Sequence, residues 1–347
     1  MSSFLIFGWN SNSLGFLKER GLFIIAVIMV MFLKSCQPVP QKSKIELSTV
    51  PGTTSNAENL TRETNEPSHE FYPRISPNGK FLLYQNSENE KVIIESANSS
   101  TVGSLFKQPS VVNKVGHRSA IVRKEVGSQI RSPLVQDARD ATWLADGSGV
   151  IFSYRKPAQP VIVRTGETGV GLNYISQGAM GGDDAEPNMT TDGKKVIFTT
   201  LIGNSRMICS MNSQGGEFTV LTDGNHVAIN PTDNDQIIYN LTINNRVQIF
   251  TMNLRTGQKT QLTSGEYDCR DGAFSKDGRW IAYSSNQDNP TSKNYHIYMM
   301  RPNGTDVKQL TQGDTHEGDP CWSPDGLVFF YSNASGNYNI WKVKPRM

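Results

Sequence analysis

Six positions, Gly79, Gly147, Gly193, Asn234, Gly278 and Gly326, recur along the chain, and ten residues before them stand His69, Asp137, Asp183, Gly224, Asp268 and His316. Beside these lie Arg139, Asp140, Asp184, Glu186, His226, Arg270, Asp271, Glu317 and Asp319. Carboxylates, imidazoles and guanidinium groups at a fixed offset in a repeat can meet in one ring. There they could grip a partner through charge-assisted hydrogen bonds, or hold a divalent cation through oxygen and imidazole ligands. No compact ligand spacing supports a metal, so none is expected, and no cofactor. The four carboxylates seven before a glycine, Asp140, Glu186, Asp271 and Asp319, read as braces that accept backbone N–H groups between repeats. Nucleophilic chemistry finds no motif. Gly203-Asn204-Ser205-Arg206-Met207 begins like G-x-S-x-G and fails at its last position. P-loop, H-E-x-x-H, C-x-x-C and G-x-G-x-x-G patterns are all missing from the sequence. The residues expected to bind a partner are therefore His69, Asp137, Arg139, Asp183, His226, Asp268, Arg270, His316 and Glu317, with no catalytic residue among them.

The elements that must position this ring are short strands. Five residues after each turn position comes an aromatic: Tyr84, Phe152, Phe198, Tyr239, Tyr283 and Tyr331. Just before each turn position stands Asn78, Asp146, Asp192, Asp233, Asp277 or Asp325, and four before it Ile75, Trp143, Met189, Phe274 or Trp322, with Asn230 breaking the series. Ser-Pro-Asp-Gly is a tight turn: Pro presets φ, Asp suits the next position, and Gly takes the left-handed conformation. Asn234 is expected to replace Gly because Asn tolerates that conformation. The runs that follow (FLLY, VIF, VIF, IIY, WIAY, VFFY) are continuous and β-branched or aromatic, as in strands covered on both faces. Third strands are expected at Val92-Ile94, Val161-Val163, Met207-Ile208, Val247-Met252, His296-Met300 and Asn339-Val343. Fourth strands end in Ile175-Ser176, Leu221-Thr222, Leu262-Thr263 and Leu310-Thr311.

Units of four strands recurring every 41 to 48 residues, apart from one 68-residue gap, predict an all-β, six-bladed propeller of four-stranded antiparallel blades. The last unit stops at Met347 without its Leu-Thr strand, and Leu60-Thr61 supplies one at the other end. An N-terminal strand around 55–62 should therefore close the ring. The long gap places an insertion or long loop in 97–132. Cys269 and Cys321 fall in adjacent units, and a bond between them is left open.

Lys18 and Arg20 precede a charge-free stretch, Gly21 to Leu33, too short to span a bilayer and laid out like a secretory signal. Leu33-Lys34-Ser35-Cys36 then resembles the bacterial lipobox, with Lys34 a departure from it. That resemblance implies a signal peptide over 1–35, lipidation at Cys36, and a tether over 36–54. Gln37, not Asp, follows the cysteine, which for a Gram-negative lipoprotein implies the outer membrane. A formal charge of +2, from 34 Lys and Arg against 32 Asp and Glu, comes without a basic run, which sets nucleic acid aside.

The repeats DPCWSPDGLVFFYSN with NIWKV, and GAFSKDGRWIAYSSN with HIYMMRPNGTDVKQLT, resemble those of the TolB-like propellers. The resemblance covers about residues 55–347 and lacks the N-terminal domain of TolB proper. It implies a monomeric, non-catalytic periplasmic lipoprotein whose propeller loop face binds an envelope protein near the membrane or cell wall. The alternative is a propeller enzyme, a carbohydrate lyase or hydrolase with a metal in the channel mouth.

Overall fold

The computed structural model describes residues 52–93, 113–155, 159–176 and 182–347. The leader, Cys36 and the tether up to residue 51 lie outside the described residues. Each of the six blades is a four-stranded antiparallel sheet. Blade 1 comprises 69–75, 81–93, 113–125 and 131–136; blade 2, 138–143, 149–154, 161–166 and 173–174; blade 3, 185–189, 195–202, 205–212 and 219–223. Blade 4 comprises 225–230, 233–243, 246–253 and 259–261; blade 5, 269–274, 281–285, 296–300 and 308–309. Blade 6 takes 317–322, 328–332 and 339–345 from the C-terminal end, and its outer strand is 57–62. The N-terminal strand therefore closes the ring.

Strands this short cannot bury both faces alone. An apolar core fills each of the six seams between neighbouring blades, for example Leu83, Ile121, Val150, Phe152 and Val163 between blades 1 and 2. The recurring aromatic faces the preceding blade in blades 1 to 5. In blade 6 the residue in that place is Phe330, which packs against blade 5, while Tyr331 faces the other way. The Ser323–Gly326 turn is one residue tighter, closing Ser323 N–H on Leu327 O where Ser76 closes on Phe81. A match at Tyr331 in the sequence thus comes from the adjacent aromatics of the FFY run. Tyr331 instead lies over Gly318, its strand partner, where a Cβ would overlap the phenol.

Five turn glycines adopt φ between 68° and 82° as the motif requires. Asn234 does not. Blade 4 has a longer crossing, pairing Ile229 with Ile237, so Ile229 takes the apolar place expected of Asn230, and Asn234 lies in a strand. Blade 1 departs as well. Its second strand runs through Ile93, pairing Val92 with Lys114, and its third is 113–125, not 92–94, because these two strands stay paired over thirteen positions. Of the expected insertion, residues 97–112 lie outside the described residues.

The Leu-Thr signature has a physical origin. The hydroxyls of Thr64, Ser176, Thr263 and Thr311 accept the backbone N–H of Ile340, Ile162, Ile249 and Ile297 at 2.8–2.9 Å. Three of them also donate to a buried carboxylate at the start of the next inner strand or just before it: Glu70, Asp184 and Glu317. At the ring closure this hydroxyl belongs to Thr64, not Thr61. Thr64 precedes Gly79 by the same distance that separates Thr311 from Gly326. Cys209, Cys269 and Cys321 are free and buried in three different seams, so Cys269 and Cys321 do not pair. Burial pushes the Cys269 thiol up to about 11, which leaves it an inert core residue.

Glu63, directly after the closing strand, accepts Lys124 Nζ at 2.6 Å and the Gly127 N–H at 2.7 Å from blade 1, and Lys342 Nζ at 2.7 Å from blade 6. Burial opposes its ionisation, but the two lysines and the N–H outweigh it and hold the carboxyl below its usual value. The clamp is thus fully made above the ordinary pKa of 4.5 and is lost as pH falls below it. Deleting 55–66 should unfold the domain, read as loss of the cooperative thermal transition. Glu63→Gln, which strands Lys124 without a counter-charge, should cost about 3–5 kcal/mol in urea denaturation at neutral pH.

Candidate functional site

Every inner strand carries a β-bulge, marked by a register shift against its neighbour. At each bulge one non-glycine residue adopts positive φ: Tyr72 (55°), Asp140 (54°), Glu186 (52°), His226 (53°), Asp271 (61°) and Asp319 (51°). Such a bulge re-aims one side chain. Six equivalent bulges bring one side chain per blade into a girdle around the channel. In sequence Tyr72 stands in the same register as the four carboxylates, and His226 falls one residue outside it because of the longer blade 4 crossing.

His226 gathers three of the carboxylates. Its Nε2 lies 3.0 Å from Asp319 Oδ1, and its Nδ1 lies 3.5 Å from Asp271 Oδ1 and 3.8 Å from Glu186 Oε1. Arg74, a residue the sequence did not single out, reaches Asp319 from the other side at 3.3 Å. Burial would lower the imidazole pKa, but Asp271, Asp319 and Glu186 raise it to about 10. Burial would likewise raise Asp319, and Arg74 with His226 reverses this, leaving its carboxyl below the usual range. Asp140 is pushed up to about 6, by burial first and then by Glu186. The bracing role holds for Glu186, which accepts the His226 N–H at 2.7 Å, and for Asp140, on which the Glu186 N–H acts. Asp271 and Asp319 have side-chain partners instead.

Beyond the girdle, on the side where fourth strands lead into inner strands, lies the loop mouth. The expected partner-binding residues divide there. On blades 2 and 3, Asp183 is held by Arg139 and Arg206, the second of which sequence reading missed. Asp137 is exposed at positive φ beside them. On blades 5, 6 and 1 the surface is aromatic. His316 packs on Tyr295 (centroids 5.4 Å), Tyr331 (6.1 Å) and Tyr338 (6.1 Å), Phe71 joins Tyr331 and Tyr338 (5.2 and 5.0 Å), and His69 adds a ring 5.7 Å from Tyr338. Arg270 lies over Tyr295 at 3.9 Å. Asp268 accepts the Val247 N–H and the Tyr295 hydroxyl, so it orients that ring. Tyr295 and Tyr338 open third strands, a place the repeat pattern leaves free to vary, and only their tertiary neighbours reveal them.

Two of the expected residues lie elsewhere: His226, which sits in the girdle, and Glu317. Glu317 is 0% exposed, accepting His296 Nδ1 at 2.8 Å and the hydroxyls of Thr311 and Thr315. It belongs to the seam and presents nothing to a partner, because the hydroxyl clasp draws it inward. Among the described residues no group of three or more His, Cys, Asp or Glu has the geometry of a metal site.

Because the folded His226 pKa lies above 6.5, its contribution to stability is complete below pH 6.5 and is lost as pH rises through about 10. The imidazole should stay protonated at pH 8 by ¹⁵N-edited NMR of labelled histidine. The stability gap between wild type and His226→Gln should shrink between pH 7 and 10.

Among curated proteins no sequence matches the chain. The family described as the Dipeptidyl peptidase IV (DPP IV) N-terminal region matches residues 195–337, less than half of the chain. Among solved structures, TolB from Acinetobacter baumannii superposes with a TM-score of 0.53 at 17% identity, over 65% of this chain and 60% of that one. The putative TolB from Agrobacterium tumefaciens gives 0.50 at 20% identity, over 58% of this chain and 73% of that one. An oligogalacturonate lyase in complex with manganese gives 0.52 at 12% identity, over 85% of this chain and 96% of that one. At these identities the likeness is one of fold, and in fold the chain is a TolB-like six-bladed propeller.

Proposed function

We propose that the chain is a non-catalytic binding module of the periplasm, anchored through a lipid on Cys36, whose loop mouth engages an envelope protein close to the membrane or cell wall. The observation that carries this reading is the partly exposed aromatic set of the loop mouth, Phe71, Tyr295, His316, Tyr331 and Tyr338, with Arg270 stacked against it. Aromatic residues and Arg are the side chains enriched where protein interfaces carry their affinity. They offer large area at little cost in conformational entropy, and these rings are already held by one another.

The charged half of the mouth supports orientation more than affinity. Asp183 is saturated by two guanidinium groups, which makes it a fixed dipolar surface. Such groups steer encounter and reject wrong partners. Asp137, Arg139, His69 and Arg270 remain the proposed polar contacts.

The reading is tested with a photo-crosslinking amino acid placed at Tyr338 in living cells, and at Lys276 on the opposite mouth as a control. A protein adduct of defined mass should form from position 338 and not from 276, and Tyr295→Ala should reduce its yield at least tenfold. Equal adducts from both mouths, or none from either, would refute the proposal. A tightly bound stoichiometric cation in the purified protein would shift the reading to the channel enzyme.

A further inference from the structure

The opposite mouth, formed by the Ser-Pro-Asp-Gly turns, opens into a cavity of about 550 Å³, within the range of small-molecule sites. Its wall is a ring of one apolar side chain per blade: Ile75, Trp143, Met189, Ile229, Phe274 and Trp322. The indoles are locked in place, Trp143 Nε1 donating to Arg74 O at 3.1 Å and Trp322 Nε1 to Ala273 O at 3.2 Å, so the wall is preformed. The residue just before each member of the ring also lines the cavity and forms the next layer in. In that layer blade 1 contributes Arg74, while the other five blades contribute uncharged residues, Thr142 and Asn188 among them. His226 and Asp319, members of the girdle, lie at the floor.

Arg74 has donors to spare. A guanidinium carries five N–H groups. Arg74 spends three of them, Nη1 on Pro73 O at 2.8 Å and on Asp319 Oδ1 at 3.3 Å, and Nη2 on Asp319 Oδ1 at 3.3 Å. Among the described residues the other two meet no protein acceptor. Access separates the charges of the floor: the Arg74 side chain is 28% exposed and that of His226 15%, but that of Asp319 only 2%. The deeper carboxylates each face a cation of their own, Asp140 with Arg139 at 3.5 Å, Asp271 with Arg270 at 3.5 Å and Glu186 with His226 at 3.8 Å. At the rim Lys276 and Asp146 are both solvent-exposed and opposite in charge, so they favour neither sign. A head group that has passed the rim therefore reaches the Arg74 guanidinium and not the buried Asp319. The fork of N–H donors on arginine matches a carboxylate in both charge and geometry.

We propose that the turn-mouth cavity is a binding site for a small amphipathic carboxylate, its apolar or aromatic body against the Trp143 and Trp322 wall and its carboxylate group paired with Arg74. The site is separate from the loop mouth, so its occupation leaves the proposed partner surface free.

Calorimetric titration of the purified protein with 4-phenylbutanoate, 4-phenylbutanol and 4-phenylbutylamine tests the proposal. The carboxylate should bind saturably, at least tenfold more tightly than the alcohol, and more weakly as salt is raised. The amine should give no saturable heat. Arg74→Met removes the charge and Ile229→Trp narrows the cavity from another blade, and either variant that melts like the wild type should lose at least tenfold in carboxylate affinity. In Arg74→Met the carboxylate should bind no more tightly than the alcohol. Binding of the amine or the alcohol as tight as that of the carboxylate, no saturable binding of any of the three, or unchanged carboxylate affinity in a well-folded variant would overturn it.

Discussion

A closed channel exists here because one strand crosses from the start of the chain to its end. Blade 6 has only three strands of its own, and 57–62 completes it. The junction this creates lies within one sheet, between 57–62 and 339–345, where neighbouring strands are joined by no turn. It is held by a buried charge, Glu63, shared between Lys124 and Lys342 on either side, and by Thr64, whose hydroxyl bonds Ile340 and Glu70. A buried carboxylate with two cations and a backbone N–H is directional in a way that the apolar seams are not. It fixes the register at which the first strand meets the last.

The same logic of placing groups by backbone geometry builds the channel. Six bulges at positive φ cost backbone energy, of order 1 kcal/mol or more each for non-glycine residues, and persist because the inner strands around them are over-determined by both neighbouring blades. What they yield is a girdle in which a histidine, a tyrosine and four carboxylates face one another within a space too small for bulk water. Their charges must be settled locally, and His226 and Arg74 do so. The two mouths then become chemically different. The loop mouth sees paired charges and stacked aromatic rings, while the turn mouth sees the apolar ring that Ser-Pro-Asp-Gly hairpins place at their bases.

Much of this was legible in the residues. The turn motif with its glycine, the continuous apolar runs and the Leu-Thr ends each follow from a local rule, and together they specify blades and their number. Several errors were of a single kind. Tyr331 for Phe330, Asn230 for Ile229 and Thr61 for Thr64 are slips of one to three residues, and a slip of one in a strand exchanges its two faces. A hairpin longer or shorter by one residue produces such a slip without altering the repeat that the eye finds. Glu317 failed for a different reason. It opens an inner strand just after an exposed loop, yet the hydroxyl of Thr311, six residues earlier in the link between blades 5 and 6, draws its side chain into the seam.

By itself the sequence determined that this chain folds into six antiparallel blades and that its first strand finishes its last sheet, because turn chemistry and strand burial act over a few residues. Which side chains share the channel, which charges cancel, and which aromatic rings gather at one mouth were decided only by tertiary structure. Those contacts join residues separated by up to a full circuit of the ring, such as Arg74 with Asp319 or Phe71 with Tyr338. Closure of the ring sets their distances, and no local pattern records it.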